Sequence, residues 1–283
     1  MNRLTDPVVI RSLLEHYGFR FSKSMGQNFL VDASIPQRIA ESVIADRDCS
    51  VLEIGPGLGC LTAELSERAG EVLCVELDRR LQPLLAETLS GRENVEILFA
   101  DVMKLDLHKT VSEHTTKPKK LVCANLPYNI TTPVLTELIR AACFERIVVM
   151  IQREVAERIC ARPGTKDYGA FSLFVQWHCE PEFLFEVPPH CFMPQPKVTS
   201  AVIRLTRRER PPAEAEDEEL LFRVIRAAFN QRRKTLGNAL SSAMPELSKA
   251  DCEDVLRRCG LPSDIRGEKL SLEDFVRISN GMK

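Results

Sequence analysis

The sequence predicts an α/β chain: a mostly parallel, doubly wound sheet followed by a small all-helical domain. Three observations predict it. Short apolar runs alternate with helix-patterned segments from about residue 50 to residue 151. The first of these runs ends in a cluster of glycines. Beyond residue 220 only helical patterns remain.

The elements follow in order. Asp6-Pro7 opens a helix with a capping carboxylate and a proline at the first helical position. Ile10, Leu13, Leu14 and Tyr17 give it one apolar face, and Gly18 ends it. Residues 50–54 form a buried strand, 61–68 a helix, 71–75 a strand ended by Glu76, and 81–89 a helix. Strands at 95–98 and 121–124, a helix at 134–142 and a strand at 147–151 continue the alternation. Two late strands, 183–187 and 201–205, flank a proline-rich loop. Phe171, Phe174 and Trp177 recur every three residues on a helix and read as core. The segment 209–219 is polar and broken by proline, a linker by composition. Helices are expected at 220–230, 232–242, 250–258 and 272–279. The expected domains are therefore 1–208, a linker at 209–219, and a helical domain at 220–283.

Composition excludes several classes. No stretch approaches the ~20 apolar residues of a membrane span, and the N-terminus lacks a signal peptide's apolar run. A soluble, cytoplasmic chain is expected. The ten cysteines form no C-x-x-C pair, so buried reduced thiols are expected rather than disulfides or metal. The five histidines form no H-x-x-x-H pair, and no metal site is expected. The net charge of −2 demands no nucleic-acid partner. Arg232, Arg233 and Lys234 nevertheless form a compact basic run after an apolar helix, suited to phosphate contact.

The chemistry lies at the strand ends. Glu53-Ile54-Gly55-Pro56-Gly57-Leu58-Gly59 is a strand running into a glycine turn, which lets a ligand approach the backbone. Its spacing is G-x-G-x-G, not the G-x-G-x-x-G of dinucleotide binding. Glu76 follows Gly55 by 21 positions (76 − 55) and can accept hydrogen bonds from two ribose hydroxyls. Asp101, after the next strand, can accept one from an adenine amino group or simply cap a helix. The fourth strand ends in Asn125-Leu126-Pro127-Tyr128-Asn129-Ile130. An exocyclic adenine amine is a poor nucleophile because its lone pair is delocalised into the ring. A side-chain amide oxygen at Asn125 and the backbone carbonyl of Leu126 can each accept one N–H and draw that lone pair back onto nitrogen. Pro127 fixes the turn, and Tyr128 can stack on the base. Positioning and electrostatics then carry catalysis, with no strong base.

These motifs resemble those of the ribosomal RNA adenine dimethyltransferase family, particularly its bacterial small-subunit members. The resemblance rests also on Lys23-Ser24-Met25-Gly26-Gln27-Asn28-Phe29-Leu30 and Val75-Glu76-Leu77-Asp78. Further matches are Tyr168-Gly169-Ala170, the run from Phe192 to Val198, and the run from Phe229 to Leu236. It runs from about Lys23 to the C-terminus. It implies a Rossmann-like class I methyltransferase sheet with S-adenosylmethionine bound by Asn28, Leu30, Gly55, Glu76, Asp101 and Asn125. It implies Phe192 as a second stacking surface for the adenine. The implied substrate is two adjacent adenosines in a hairpin near the 3′ end of small-subunit (16S) rRNA, dimethylated at N6 within the subunit or its precursor. A monomer without metal or membrane is expected. Ala100 stands where family members often have glycine, and the overall charge is less basic than theirs.

Other readings stay open. An NAD-dependent oxidoreductase shares the acid at Glu76, but no Tyr-x-x-x-Lys pair follows any of the three tyrosines. A DNA adenine methyltransferase or a large-subunit rRNA enzyme would use a similar Asn-x-Pro-Tyr site. A ribosome-assembly factor could bind through the same surfaces.

Overall fold

The computed structural model describes residues 3–19, 27–43 and 47–282. Lys23 to Gly26 of the N-terminal motif lie outside the described residues. The strands are β1 (Phe29–Leu30), β2 (Cys49–Ile54), β3 (Glu71–Glu76), β4 (Val95–Phe99), β5 (Lys119–Asn125), β6 (Arg146–Gln152), β7 (Cys179–Val187), β8 (Phe192–Met193) and β9 (Ser200–Arg207). The first helices are α1 (Pro7–His16), α2 (Ser34–Val43), α3 (Cys60–Arg68), α4 (Gln82–Thr88), α5 (Leu107–His114) and α6 (Thr131–Arg140). They are followed by α7 (Arg153–Ile159), α8 (Ala170–His178), α9 (Glu218–Asn230), α10 (Leu236–Ala243), α11 (Lys249–Arg258) and α12 (Leu272–Gly281).

The chain divides into two compact units. One comprises residues 1–156 and 182–207, the other 157–181 and 208–283. The sequence places 157–181 in the first domain, whereas the structure groups it with the C-terminal helices. The reason is packing: Leu173 and Trp177 of α8 enter one apolar cluster with Leu221, Val224 and Ile225 of α9.

The first unit is built on a seven-stranded sheet in the order β4-β3-β2-β5-β6-β9-β7. From β4 to β6 all neighbours are parallel, and β9 runs antiparallel to β6. Parallel strands covered on both faces need apolar residues on both sides, and β2 is buried along its whole length. Alternate residues feed one core: Val51, Val72, Cys74, Leu121, Cys123, Val148, Met150 and Val202 meet Ile35, Ile39 and Val43 of α2 and Leu61 and Leu65 of α3. After β2 the chain builds outward through β3 and β4, then returns to place β5 on β2's other side. Such a reversal opens a crevice outside the C-terminal strand ends. Register aligns those ends: Ile54 lies opposite Val75, Glu76 opposite Phe99, and Asn125 opposite Met150. Helix α1 starts where Asp6 accepts from Val8 N at 2.8 Å, and Ile10 and Leu14 pack on Leu58, Leu81 and Leu85.

A separate two-stranded ribbon pairs β1 with β8, Leu30 opposite Phe192. It has no counterpart among the sequence expectations, because two residues show no periodicity.

The second unit is helical. Asp217 caps α9, while Ser248 with Asp251 and Ser271 with Asp274 form the starts of α11 and α12. Its core joins Tyr168, Trp177, Leu221, Leu240, Leu256 and Phe275. Phe171 and Phe174 stack at 6.1 Å, and Phe174 meets Phe222 at 5.8 Å. The polar segment before α9 is pinned: Asn280 Nδ2 donates to Glu214 O, and Glu216 N donates to Asn280 Oδ1, both at 3.0 Å. One helix differs from expectation. Residues 231–235 form a turn and α10 starts at Leu236, so Arg232, Arg233 and Lys234 do not lie on a helix. Thr235 sits in an extended N-cap conformation, and Lys234 N donates to Gln231 O at 2.8 Å to close the turn.

Candidate active site

One cavity lies outside the ends of β2, β3, β4 and β5, and its lining includes Asn28, Leu30, Gly55, Glu76, Asp101, Asn125, Leu126, Pro127 and Tyr128. Residues separated by nearly a hundred positions in sequence thus meet because four strand ends converge.

The glycine turn leaves β2 with Gly55 at φ +70° and Gly57 at φ +60°, a region that L side chains rarely adopt. A Cβ on Gly55 would meet nothing within 4 Å, so the turn leaves open space above it. A Cβ on Gly57 would lie 3.2 Å from Phe29 Cε1, so glycine there also lets β1 approach.

Glu76 ends β3, 6% exposed, and Oε1 accepts from Asp78 N at 2.7 Å. Burial raises its carboxyl, opposed by hydrogen bonds from backbone N–H groups of Asp78, Gly57 and Leu77. Asp78 is itself tied to Arg80, 2.6 Å from Nη2, and the hydrogen bonds from Arg80 hold its carboxyl below the usual range. Its Oδ2 also accepts from Gln27 Nε2 at 3.1 Å, which fixes a cavity residue from the N-terminal motif.

Asp101 follows β4. Its Oδ1 accepts from Met103 N at 3.0 Å and caps a short helical turn, and Lys104 Nζ lies 3.8 Å from Oδ2. The residue is therefore both a cap and part of the cavity wall. Apolar walls come from Leu77 and Val102 beside the two acids.

Asn125 ends β5 and turns Nδ2 to Asn28 O at 3.5 Å, a long contact that leaves the amide oxygen as the acceptor end. Leu126 N donates to Met150 O at 3.1 Å, which binds the turn to β6. Pro127 O accepts from Ile130 N at 3.2 Å and Thr131 Oγ1 at 3.1 Å, closing the turn into α6. The Tyr128 hydroxyl lies 2.6 Å from Ser200 Oγ, and burial raises its phenol.

Phe192 is the exception. The structure does not bring it to the cavity lining; it is 2% exposed and packs in the core cluster with Leu30, Val187 and Cys191. Its register opposite Leu30 places it as a clamp on β1. Tyr168 is also internal, donating to Leu270 O at 3.0 Å within the helical unit. All three residues of the basic run are exposed, and Arg232 also donates to Glu268 Oε2 at 3.2 Å and Lys166 O at 2.7 Å.

Sequence position gives Glu53 no role beyond opening the glycine motif. In the fold it lines the cavity, is 1% exposed, and has the thiol of Cys74 3.5 Å from Oε2. Burial pushes its carboxyl up to about 7, and the Glu76 charge adds to this. Cys60, also lining the cavity, is pushed up to about 12 by burial and by Glu53, so it is no thiolate nucleophile. None of the ten cysteines, all among the described residues, is in a disulfide. Among the described residues no group of three or more His, Cys, Asp or Glu could hold a metal ion, and no helix is long and apolar enough to cross a membrane.

A switch-point crevice with a glycine turn, two acids at successive strand ends and an Asn-Leu-Pro-Tyr turn defines a Rossmann-like methyltransferase. The solved structures agree. The 23S rRNA methyltransferase ErmE superposes with a TM-score of 0.70 at 28% identity, over 90% of this chain and 99% of that one. A dimethyladenosine transferase from Plasmodium falciparum gives 0.73 at 26% identity, over 88% and 95%. Among curated relatives, "Ribosomal RNA small subunit methyltransferase A" of Geobacillus thermodenitrificans is 45% identical over 283 residues, 99% of this chain and 97% of its own. The protein of that name from Streptococcus equi subsp. zooepidemicus is 46% identical over 286 residues, 99% and 98%. The ribosomal RNA adenine dimethylase family profile matches residues 18–283. The chain belongs to that family and is an rRNA adenine dimethyltransferase.

Proposed function

We propose that the protein uses S-adenosylmethionine to dimethylate the N6 amino groups of two adjacent adenosines in a hairpin near the 3′ end of small-subunit (16S) rRNA. The substrate is the small subunit or its precursor, the place of action the cytoplasm, and the enzyme a monomer. The observation that carries this reading is the convergence of Asn125, Leu126 and Tyr128 on the cavity that also holds Gly55, Glu76 and Asp101. The relatives named as small-subunit enzymes, 43–46% identical, favour that subunit over the 23S RNA of the 28% identical ErmE.

The cavity suits an adenosine-bearing sulfonium. Open space above Gly55 admits a ligand against backbone. The buried Glu76 carboxylate accepts two ribose hydroxyls, which compensate its desolvation. Asp101 accepts from the adenine amino group, and Asn28 and Leu30 close the remaining side. When bound, the cofactor supplies a methyl group on a sulfonium, an electrophile that needs no metal. The chain's own residues then activate the target. The Asn125 amide oxygen and the Leu126 carbonyl each accept one N–H of the base, which localises the lone pair on N6. Tyr128 holds the ring by stacking, worth ~1–3 kcal/mol per base. The methylated ammonium loses its proton to water.

Two variants separate the roles. Glu76→Ala is expected to weaken S-adenosylmethionine binding by about 1.5–3 kcal/mol, the range for hydrogen bonds to a charged group. Asn125→Ala is expected to cut methyl transfer by ~100-fold or more while subunit binding survives. Calorimetry showing unchanged affinity for the first, or near wild-type transfer for the second, would contradict the assignment.

A further inference from the structure

The hydroxyls of Tyr128 and Ser200 lie 2.6 Å apart, although 72 residues separate them in sequence. Ser200 is fully buried and opens β9, opposite Gln152 of β6. Tyr128 is the aromatic residue of the turn that follows β5. The sheet brings them together because β6 pairs with β5 on one side and β9 on the other. Burial raises the phenol, so Tyr128 stays neutral and cannot act as a base. Its hydroxyl therefore serves geometry. A ring held only by packing can rock about its side-chain torsions. A ring tethered at its far end to a rigid strand cannot.

We propose that Ser200 is a positioning residue, whose hydroxyl fixes the Tyr128 ring at the angle that presents the adenine amino group to Asn125 and Leu126. This rests on the reading given under Proposed function. Methyl transfer is sensitive to such alignment, since small misplacements of reacting groups cost large factors in rate.

The test is a double-mutant cycle on Ser200→Ala, Tyr128→Phe and the pair, with S-adenosylmethionine saturating and unmethylated small subunits as substrate. Each single substitution removes the same neutral hydrogen bond. Each is expected to lower kcat by about tenfold, with cofactor Kd and subunit KM within about twofold of wild type. The pair is expected to lose no more than either single, because residues acting as a unit are not additive. Wild-type kcat in Ser200→Ala, multiplicative losses in the pair, or a loss confined to KM would overturn the role. If Ser200→Ala does not fold, Tyr128→Phe decides alone, and an unchanged kcat sinks the proposal. A wild-type protein that methylates no small-subunit adenine would overturn the functional reading together with it. Multiplicative losses in an active enzyme overturn only the part given to Ser200.

Discussion

Glu53 shows how a single buried group sets a measurable property of this enzyme. Its carboxyl lines the cavity with Cys74 and Thr62 as partners, and the Glu76 charge acts on it. Burial raises it from 4.5 to about 7, so the folded protein holds this proton more tightly than the unfolded chain. Unfolding releases it, and the sign follows. Stability falls as pH rises from about 4.5 to about 7 and levels off above. At ~1.4 kcal/mol per unit the drop attributable to Glu53 is about 3 kcal/mol. Glu53→Gln removes the titration, and the difference between the two unfolding curves isolates it from Glu76, which titrates in both proteins. Denaturant unfolding at about pH 5 and about pH 8 is expected to show the variant gaining on wild type by up to about 3 kcal/mol. An equal pH dependence in both would contradict the burial argument. None of this is legible in sequence. Glu53 reads as one polar residue in an apolar strand, and its depth becomes visible only once the sheet is covered on both faces.

At the scale of elements, the ribbon of β1 and β8 gives Phe192 a packing task that its motif does not reveal. Its side chain fills core space beneath Leu30, so Phe192→Ala opens a cavity. The expected cost is about 3–5 kcal/mol of stability, with weaker cofactor binding because Leu30 and Asn28 lose their support. Denaturant unfolding and calorimetry on one preparation check this. A stability loss under about 1 kcal/mol with methylation abolished would restore the stacking role. The turn between α9 and α10 makes a second prediction. Arg232 is exposed but tied to Glu268 and Lys166 and is a poor probe of RNA binding, so the test falls on the exposed Arg233 and Lys234. Replacing the latter two by alanine should flatten the log–log salt dependence of subunit binding by about 1.5 units, since each neutralised phosphate contributes roughly 0.7–0.9 to the slope. Cofactor affinity should not move. An unchanged slope would remove RNA contact from this turn. The sequence suggests a helix here because Arg, Lys and Leu favour one. The Thr235 cap and the bond from Lys234 N to Gln231 O prevail instead. Helices α2, α5 and α7 have no counterpart among the sequence expectations, and they cover or end strands rather than carry motifs.

For the whole molecule, what is legible follows from how local each signal is. Strands β2 to β6 are mostly apolar runs, and Gly55, Glu76, Asp101 and Asn125 stand at or just beyond the ends of four of them. Their convergence needs only the rule that such sheets bind ligands outside their C-terminal strand ends. Pairings across long separations are not legible: Leu30 with Phe192, Tyr128 with Ser200, and α8 with α9. That is why 157–181 reads as part of the sheet unit, since its apolar partners lie beyond residue 220. The central claim remains one of chemistry, that this cavity makes N6,N6-dimethyladenosine on small-subunit RNA. The direct measurement is incubation of the protein with labelled S-adenosylmethionine and small subunits lacking these methyl groups, followed by digestion and nucleoside analysis. Transfer of about four methyl groups per subunit, recovered as two N6,N6-dimethyladenosines and slowed ~100-fold or more by Asn125→Ala, is the predicted result. Label in any other nucleoside, or in 23S RNA alone, would contradict it.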